Sequence, residues 1–259
     1  MNHHRGTERQ KITYTLDGTL LTPSARAGSV EPCYARNGIT LYQGDCLEVF
    51  GLLDPAVRKR IVAVITDPPY GIAYTVTQSW NRPHRAYTNR PIAGDREPFD
   101  PTPWLGFPRV VLFGANHFAN RLPASSEWIV WDKLLDGQKE TQYGSADLIW
   151  TNGTGPVRRY VHEWVGFRRG AEHGSHQRRH PTQKPIGLMR WLIERYTRPG
   201  DLVIDPYAGS GTTLLAAQDC GREAIGIEID PGYCASAIDR LGQQPLFGRD
   251  RDGWVPEQQ

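Results

Sequence analysis

The chain has 259 residues, of which 39% are hydrophobic, and these figures allow one sizeable core with insertions rather than two equal domains. Its formal net charge of +2 is too small to indicate a nucleic-acid-binding protein on charge alone. The four cysteines form no CxxC pair, which argues against a disulfide framework or a zinc ribbon. No apolar run is long enough to span a membrane and no signal-peptide pattern occurs, so we expect a soluble cytoplasmic protein.

A polar arm and the beginning of an α/β pattern make up the first part of the chain. Residues 1–33 are polar with little periodicity, and we interpret them as an N-terminal arm that precedes a single domain over 34–242. Ile39–Gln43 is a predicted strand. Asp45 can cap the helix that we predict over residues 46–53, because a carboxylate at this position accepts hydrogen bonds from the free N–H groups of the first turn.

A buried strand and two irregular insertions follow. The continuous apolar run Ile61–Ile65 predicts a strand that is buried on both faces. Residues 71–108 are rich in Pro, Arg and aromatic residues without a helical period, and a loop of this length in a compact domain is usually functional or mobile. Three further strands are predicted at Val110–Phe113, Trp128–Trp131 and Leu148–Trp150. Residues 152–181 are Gly-rich, basic and irregular.

Regular patterns return in the last third of the chain. Apolar side chains between Ile186 and Tyr196 fall on one helical face. Strands are predicted over 201–205 and 224–228, and helices over 212–220 and from Asp230 to the polar tail 243–259. Because buried strands alternate with helices, the sequence predicts an α/β fold with a mostly parallel, doubly wound sheet.

A strand, a glycine-rich loop and a helix over residues 201–220 have the pattern of a nucleotide-type cofactor site. Glycines let a ligand approach the backbone, and Glu228 at the end of the next strand can accept hydrogen bonds from ribose hydroxyls. The loop lacks the lysine of a P-loop, and Leu214 stands where GxGxxG has its third glycine, so a pyrophosphate is disfavoured. Asp205 would repel phosphates but can hold an ammonium group. S-adenosylmethionine therefore fits better than NAD or ATP.

The segment Asp67-Pro68-Pro69-Tyr70 follows a buried strand, which places it at the carboxyl edge of the sheet where ligands bind in this kind of fold. The two prolines stiffen the turn and remove two N–H donors, so the Asp67 carboxylate and the Pro68 carbonyl remain as acceptors. Acceptors that hold both hydrogens of an exocyclic amine would localise its lone pair for in-line attack on a sulfonium methyl. Tyr70 offers a ring for a flipped base. Alone, such a tripeptide is most often only a turn; the cofactor loop in the same chain favours function.

Together, these motifs resemble those of the amino-methyltransferases of bacterial and phage DNA. The order of the two motifs is that of their beta group, and the resemblance extends from about Ile39 to Leu241. It implies a Rossmann-like methyltransferase fold, S-adenosylmethionine as cofactor, double-stranded DNA as partner and often a homodimer. No nuclease motif is visible, so the resemblance implies a stand-alone enzyme, bacterial or phage-encoded, that acts on the nucleoid.

The resemblance also implies roles for individual residues. Asp67 and Pro68 would hold the target amine in the turn completed by Pro69, and Tyr70 would stack on the base. The cofactor-binding residues would be Asp45, Cys46, Asp67, Thr182, Lys184, Asp205, Pro206, Tyr207, Ala208, Gly209, Ser210, Gly211, Thr212, Glu228 and Ile229. The Asp form of the motif favours N6 of adenine, and N4 of cytosine stays an alternative. An RNA or protein amide methyltransferase and a catalytically silent DNA-binding protein are further alternatives, which the motif order and the intact motifs argue against.

Two basic segments are candidates for DNA contact. Residues 153–180 contain six arginines against two glutamates with interleaved aromatics, so we predict target recognition there. The insertion 74–96 can close over a flipped base or enter the duplex. The candidate residues are Tyr74, Trp80, Arg82, Arg85, Arg158, Arg159, Arg168, Arg169, Arg178, Arg179 and His180. A solvated basic loop is the alternative for both segments. No metal site is predicted, because no Cys or Asp near His173, His176 and His180 completes a ligand set.

Overall fold

The computed structural model describes residues 30–73, 92–135, 144–164 and 183–242, and the backbone of two short antiparallel strands, β1 (Thr13–Tyr14) and β2 (Leu20–Leu21). The other strands are β3 (Tyr34–Arg36), β4 (Ile39–Gln43), β5 (Ile61–Thr66), β6 (Arg109–Phe113), β7 (Trp128–Asp132), β8 (Ala146–Thr151), β9 (Arg158–Val161), β10 (Leu202–Asp205) and β11 (Glu223–Glu228). The α-helices are α1 (Cys46–Leu52), α2 (Pro55–Arg60), α3 (Ile186–Tyr196), α4 (Thr212–Asp219) and α5 (Pro231–Gly242). Short 3-10 turns cover Thr102–Trp104, Ala115–His117 and Ala119–Arg121.

Strands β3 to β11 form one sheet in the order β3-β4-β11-β10-β5-β6-β8-β7-β9. The five strands from β4 to β6 in this order are all parallel, whereas β3 and β8 run antiparallel to their neighbours and β9 runs parallel to β7. The predicted mostly parallel sheet is therefore confirmed. Because β5 and β10 are adjacent and parallel, Asp67 and Asp205 come to the same edge of the sheet at neighbouring positions.

Apolar layers cover both faces of the central strands, which explains why strands such as β5 and β6 are continuous apolar runs rather than alternating ones. In β6, Val111 and Phe113 face the layer built from α3, α4 and α5, while Val110 and Leu112 face the layer that contains α1. All four side chains are fully buried. Burial of an aliphatic or aromatic side chain of this size contributes about 1.5–3 kcal/mol to the free energy of folding. The two apolar layers therefore stabilise the sheet at whose carboxyl edge the site lies.

The prediction that residues 152–181 are irregular is wrong at Arg158–Val161, which form the edge strand β9. The backbone of β9 pairs with β7 in parallel register, from Ile129 opposite Arg158 to Asp132 opposite Val161. Its side chains alternate between half-buried and exposed. An edge strand with one solvated face needs few apolar residues. The sequence of β9, which begins with two arginines, therefore lacks the apolar run that would have predicted a strand.

The predicted insertion 71–108 is also shorter than expected, because its second half packs into the core. Phe99 is 5% exposed and Trp104 is fully buried, and both belong to the apolar layer that contains α1.

The short helix α2 and the strand β3 were not predicted from the sequence. Asp54 caps α2 by accepting the Ala56 N–H at 2.7 Å. All four cysteines are free thiols. In the described ranges, no helix has the length and apolar character needed to cross a membrane.

Candidate active site

A cleft of about 630 Å³ lies at the carboxyl edge of the parallel strands, within the range of roughly 300–1,000 Å³ that is usual for small-molecule sites. Two segments meet in it: the Asp-Pro-Pro-Tyr turn (residues 67–70) after β5 and the glycine loop (residues 205–212) after β10. The predicted site residues that line it are Asp45, Cys46, Asp67, Pro68, Pro69, Tyr70, Lys184, Asp205, Pro206, Tyr207, Ala208, Gly209, Ser210, Thr212, Glu228 and Ile229. Thr182 lies outside the described residues.

Both carboxylate oxygens of Asp67 accept hydrogen bonds from other residues of the cleft. The Tyr70 hydroxyl donates to Oδ1 at 2.5 Å, and the Lys184 ammonium donates to Oδ2 at 2.5 Å. Lys184 is only 9% exposed, so the ammonium side of this ion pair is shielded from solvent, whereas the Asp67 side chain is 20% exposed. Burial, and then the charge of Asp67, raise the pKa of Tyr70 well above its usual value, so the hydroxyl stays protonated and remains a donor.

The ring of Tyr70 is packed against the segment that follows β6. The His117 imidazole stacks on it with ring centroids 5.0 Å apart and an angle of 13° between the planes. Gly114 has a φ of +63°, and a Cβ at this position would lie 2.1 Å from Tyr70 Cε1, so only glycine allows the ring to sit here. His117 was not predicted as a site residue, although its place just after a buried strand at this edge was a usable signal.

Asp205 is a deeply buried acid of the cleft, at 3% exposure. Its carboxylate accepts hydrogen bonds from Thr66 Oγ1 at 2.6 Å, Thr213 Oγ1 at 2.5 Å and the Tyr207 N–H at 3.1 Å. Burial raises the pKa of Asp205 to about 6, against the opposing effect of these hydrogen bonds. A buried carboxylate whose ionised form is disfavoured in this way is suited to a cationic ligand, which would restore the ionised form.

Glu228 ends β11 next to the glycine loop and accepts N–H bonds from Gly209 at 2.7 Å and Asp230 at 2.8 Å. Burial raises the pKa of its carboxyl group. Each carboxylate oxygen has a second lone-pair site, so Glu228 can accept further hydrogen bonds from hydroxyl groups of a ligand. Behind the loop, a Cβ on Gly226 would lie 2.7 Å from the Leu214 side chain of α4 and 3.1 Å from Ala208 Cβ, so both α4 and the loop pack tightly on β11.

Arg240 of α5, which is 4% exposed, stabilises the glycine loop through hydrogen bonds. Its Nη1 donates to Ser210 O at 2.6 Å, Ser210 Oγ at 2.9 Å and Thr212 Oγ1 at 3.1 Å. Gly211 does not line the cleft; it has a φ of +78° at the start of α4, and a Cβ there would meet Ala237 of α5 at 2.9 Å. Gly211 therefore allows the loop to pack closely against α5. Arg240 was not predicted as a residue that supports the loop, because no local sequence pattern connects it with residues 30 positions earlier.

Asp45 and Cys46 lie where β4 leads into α1. As predicted, Asp45 caps the helix: its Oδ1 accepts the N–H groups of Leu47 at 2.9 Å and Glu48 at 3.1 Å. The thiol of Cys46 is buried, which raises its pKa. The Gly44 N–H donates to the Glu228 carbonyl at 3.0 Å, so this corner of the cleft is tied to the end of β11.

Only two of the predicted DNA-binding residues lie in the described ranges, Arg158 and Arg159 on β9. Arg159 pairs with Asp132 at 2.7 Å, and Arg158 Nε lies 4.0 Å from the buried Glu127 carboxylate. The others lie outside the described residues: Tyr74, Trp80, Arg82, Arg85, Arg168, Arg169, Arg178, Arg179 and His180. In the part of the chain that the structure describes, no three His, Cys, Asp or Glu side chains are grouped as metal ligands.

Comparison with known proteins agrees with this geometry. The DNA methylase family model N6_N4_Mtase matches residues 116–239. The putative methylase YubD of Escherichia coli (strain K12) is 47% identical over 231 residues, 81% of this chain and 90% of that protein. The DNA adenine methyltransferase YhdJ of the same strain is 48% identical over 62 residues, 24% of this chain and 21% of its own. The structure of the PvuII DNA methyltransferase (cytosine-N4-specific) has a TM-score of 0.52 at 15% identity, with 86% of this chain and 90% of that one covered, and so shares the fold.

Proposed function

This chain belongs to the DNA amino-methyltransferases, and on that premise we propose that it transfers a methyl group from S-adenosylmethionine to N6 of adenine in double-stranded DNA. The observation that carries the proposal is the meeting of the Asp-Pro-Pro-Tyr turn and the glycine loop on adjacent parallel strands. The Asp form of the turn and the 62-residue similarity to an adenine methyltransferase favour adenine. N4 of cytosine is the alternative, because its amino group presents the same two hydrogens.

The cleft fits S-adenosylmethionine in charge as well as in size. When bound, this cofactor supplies an electrophilic methyl group on a sulfonium sulfur. Glu228 would accept the ribose hydroxyls, the buried Asp205 would hold the ammonium group, and Asp45 would lie near the adenine ring. The Lys184 ammonium would pair with the methionine carboxylate. Eight acidic residues line the cleft, and this excess of negative charge disfavours a phosphate-bearing ligand, which agrees with a cofactor that carries none.

The Asp-Pro-Pro-Tyr turn would act on the target amine after the base has left the duplex. Asp67 and the Pro68 carbonyl each accept one hydrogen of the amine, which fixes its lone pair toward the methyl donor. Each Asp67 oxygen accepts one hydrogen bond in this structure, from Tyr70 or from Lys184, so the amine hydrogen would take a second lone-pair site of the carboxylate or the place that Lys184 leaves. Asp67 is then the nearest base for the proton that the methylated nitrogen gives up.

The insertion 74–96 and the segment 153–180 would contact the DNA. The chain on either side of residues 74–91 is described, and it lies beside the Asp-Pro-Pro-Tyr turn, where the Ala73 N–H donates to the Asp95 carbonyl at 2.7 Å. The attachment of both ends of the insertion next to the turn supports a role of this segment at the flipped base. The homodimer that the resemblance implies is tested by sedimentation of the free protein and of its DNA complex.

Mass spectrometry of nucleosides tests the proposed reaction. The gene is expressed in a bacterial host without DNA methyltransferases, and the digested DNA is analysed beside DNA from cells that make the Asp67→Ala variant. We expect N6-methyladenine with the wild-type protein only. N4-methylcytosine instead would overturn the choice of adenine. The proposed methyl transfer would be overturned if no methylated base formed in vivo and the purified protein bound DNA without transferring a methyl group to it.

Cofactor binding should depend on pH through Asp205. Because burial raises the pKa of this carboxyl to about 6 and a cation favours its ionised form, cofactor affinity should fall as the pH drops below about 6. The expected slope is about tenfold per pH unit below the pKa, with a proton released on binding near that pH. Calorimetry from pH 5 to 8, in buffers of different ionisation enthalpy, measures both. Asp205→Asn should bind more weakly and without this slope; an affinity that is flat across this range in the wild type contradicts the role.

A further inference from the structure

We propose that Asp95 is a positioning residue for methyl transfer, which fixes the Asp-Pro-Pro-Tyr turn by holding the backbone that follows it. Asp95 lies outside the two motifs and 25 residues after Tyr70. It touches the turn through the main chain rather than through the reacting groups. The inference rests on the proposed amino-methyl transfer but not on which base is methylated.

One oxygen of the Asp95 carboxylate gathers three successive N–H groups. Oδ1 accepts from Tyr70 N at 2.9 Å, Gly71 N at 2.9 Å and Ile72 N at 3.4 Å. Consecutive N–H groups that converge in this way form a concave anion-binding nest, here filled by a side chain of the same protein. Asp95 is 3% exposed, and a carboxylate buried to this degree is tolerated only when such donors satisfy it.

The backbone around this nest permits no looser arrangement. Gly71 has a φ of +77°, and a Cβ there would lie 2.7 Å from the Glu97 carbonyl oxygen and 2.8 Å from Pro98 Cα. Ala73, the residue after the nest, donates its N–H to the Asp95 main-chain carbonyl and has a φ of +50°, a left-handed conformation that is uncommon for residues other than glycine. The turn and the 95–98 segment are therefore in direct backbone contact, and Asp95 is the charged group that holds this conformation.

This contact matters for the chemistry because the Asp95 nest begins at Tyr70 itself. The Tyr70 hydroxyl donates to Asp67, so the backbone position of Tyr70 sets both its ring and the orientation of the Asp67 carboxylate. Asp95 lines the same cleft as Asp205 and Glu228, but the hydrogen bonds given above for those two acids are made with other residues. Loss of the nest should thus disturb the acceptor geometry of the turn while it leaves the cofactor half in place.

The test compares Asp95→Ala and Asp95→Asn with the wild type in steady-state methylation of unmethylated bacterial DNA, together with S-adenosylhomocysteine binding and thermal melting. A shift of about 1 Å in a reacting group can cost roughly 100-fold in rate, so we expect kcat of Asp95→Ala to fall by about that factor. The cofactor KM and S-adenosylhomocysteine affinity should stay at wild-type values. Asp95→Asn keeps an acceptor oxygen for the same N–H groups but loses the negative charge that strengthens these bonds, so its kcat should lie between that of Asp95→Ala and that of the wild type.

Asp54→Ala is the matched control, because Asp54 also accepts a backbone N–H but caps α2, ahead of the amino end of β5. If Asp95→Ala and Asp54→Ala both lower the melting temperature and both keep wild-type kcat, Asp95 is only structural and the proposal is overturned. Should Asp95→Ala not fold, Asp95→Asn decides alone: a smaller fall in kcat at unchanged cofactor KM supports the proposal, and wild-type kcat overturns it. A wild type without methyl transfer overturns this proposal and the proposed function together, whereas an active Asp95→Ala overturns this proposal alone.

Discussion

Replacement of Asp67 by alanine is expected to lower the rate of methyl transfer by about 10³-fold, the effect of removing a preorganised polar group from a developing charge. The variant loses the carboxylate that accepts a hydrogen of the amine and that Tyr70 and Lys184 now hold. Pro68 still offers its carbonyl, but a single acceptor does not fix the lone pair. Single-turnover transfer of a radioactive methyl group to DNA measures the loss.

Cofactor affinity distinguishes this role from a general loss of structure. Removal of Asp67 leaves the Lys184 ammonium without its carboxylate partner, so S-adenosylmethionine should bind Asp67→Ala at least as tightly as it binds the wild type. Asp67→Asn, which keeps one acceptor oxygen in the same place, should lie between the two in rate. Weaker cofactor binding in Asp67→Ala would contradict the assignment of Asp67 to the amine.

A direct hydrogen bond explains how the two halves of the site keep their relation. Thr66 ends β5, immediately before Asp67, and its hydroxyl donates to Asp205 at the end of β10 at 2.6 Å. The bond is fully buried, so it is shielded from competing water. Thr66 therefore links Asp205, which we assign to the cofactor ammonium, to Asp67, which we assign to the target amine. The distance between these two acids is set by the pairing of β5 with β10.

The sequence was sufficient to predict what depends on local pattern. Apolar runs such as Ile61–Ile65 and Val110–Phe113 are buried on both faces of the sheet, so their hydrophobicity alone marks them as strands. Motifs at strand ends were also predictable, because parallel strands bring their carboxyl ends to one edge. The sequence therefore correctly predicted that Asp67 and Asp205, at the ends of β5 and β10, lie in the same cleft.

Contacts between distant segments could not be predicted. Lys184 reaches Asp67 across 117 residues, Arg240 reaches Ser210 across 30, and Asp95 reaches Tyr70 across 25. None of these pairs has a spacing that a helix or a strand would impose, so their partners became visible only in three dimensions. The edge strand β9 was missed for a related reason, since its order comes from backbone pairing with β7.

Replacement of Lys184 by methionine should weaken S-adenosylmethionine binding by about 10- to 100-fold, because a hydrogen bond between charged groups contributes roughly 1.5–3 kcal/mol. In this structure the ammonium is bonded to Asp67 and lies 5.8 Å from the ring centre of Tyr70 and 5.3 Å from that of Phe113. The resemblance places this lysine at the methionine carboxylate of the cofactor. Both partners are carboxylates, so the cofactor can draw Lys184 away from Asp67 and leave that acid open to the amine.

A double-mutant comparison separates this exchange from a fixed Lys184–Asp67 pair. If the cofactor takes over Lys184, then Lys184→Met and the double variant with Asp67→Ala should bind cofactor equally weakly, because the lost contact belongs to Lys184 alone. Lys59→Met, on the exposed surface of α2, serves as the control for loss of one positive charge. Unchanged cofactor affinity in Lys184→Met, together with a lower rate of methyl transfer, would mean that Lys184 stays on Asp67 throughout the reaction and would contradict the exchange.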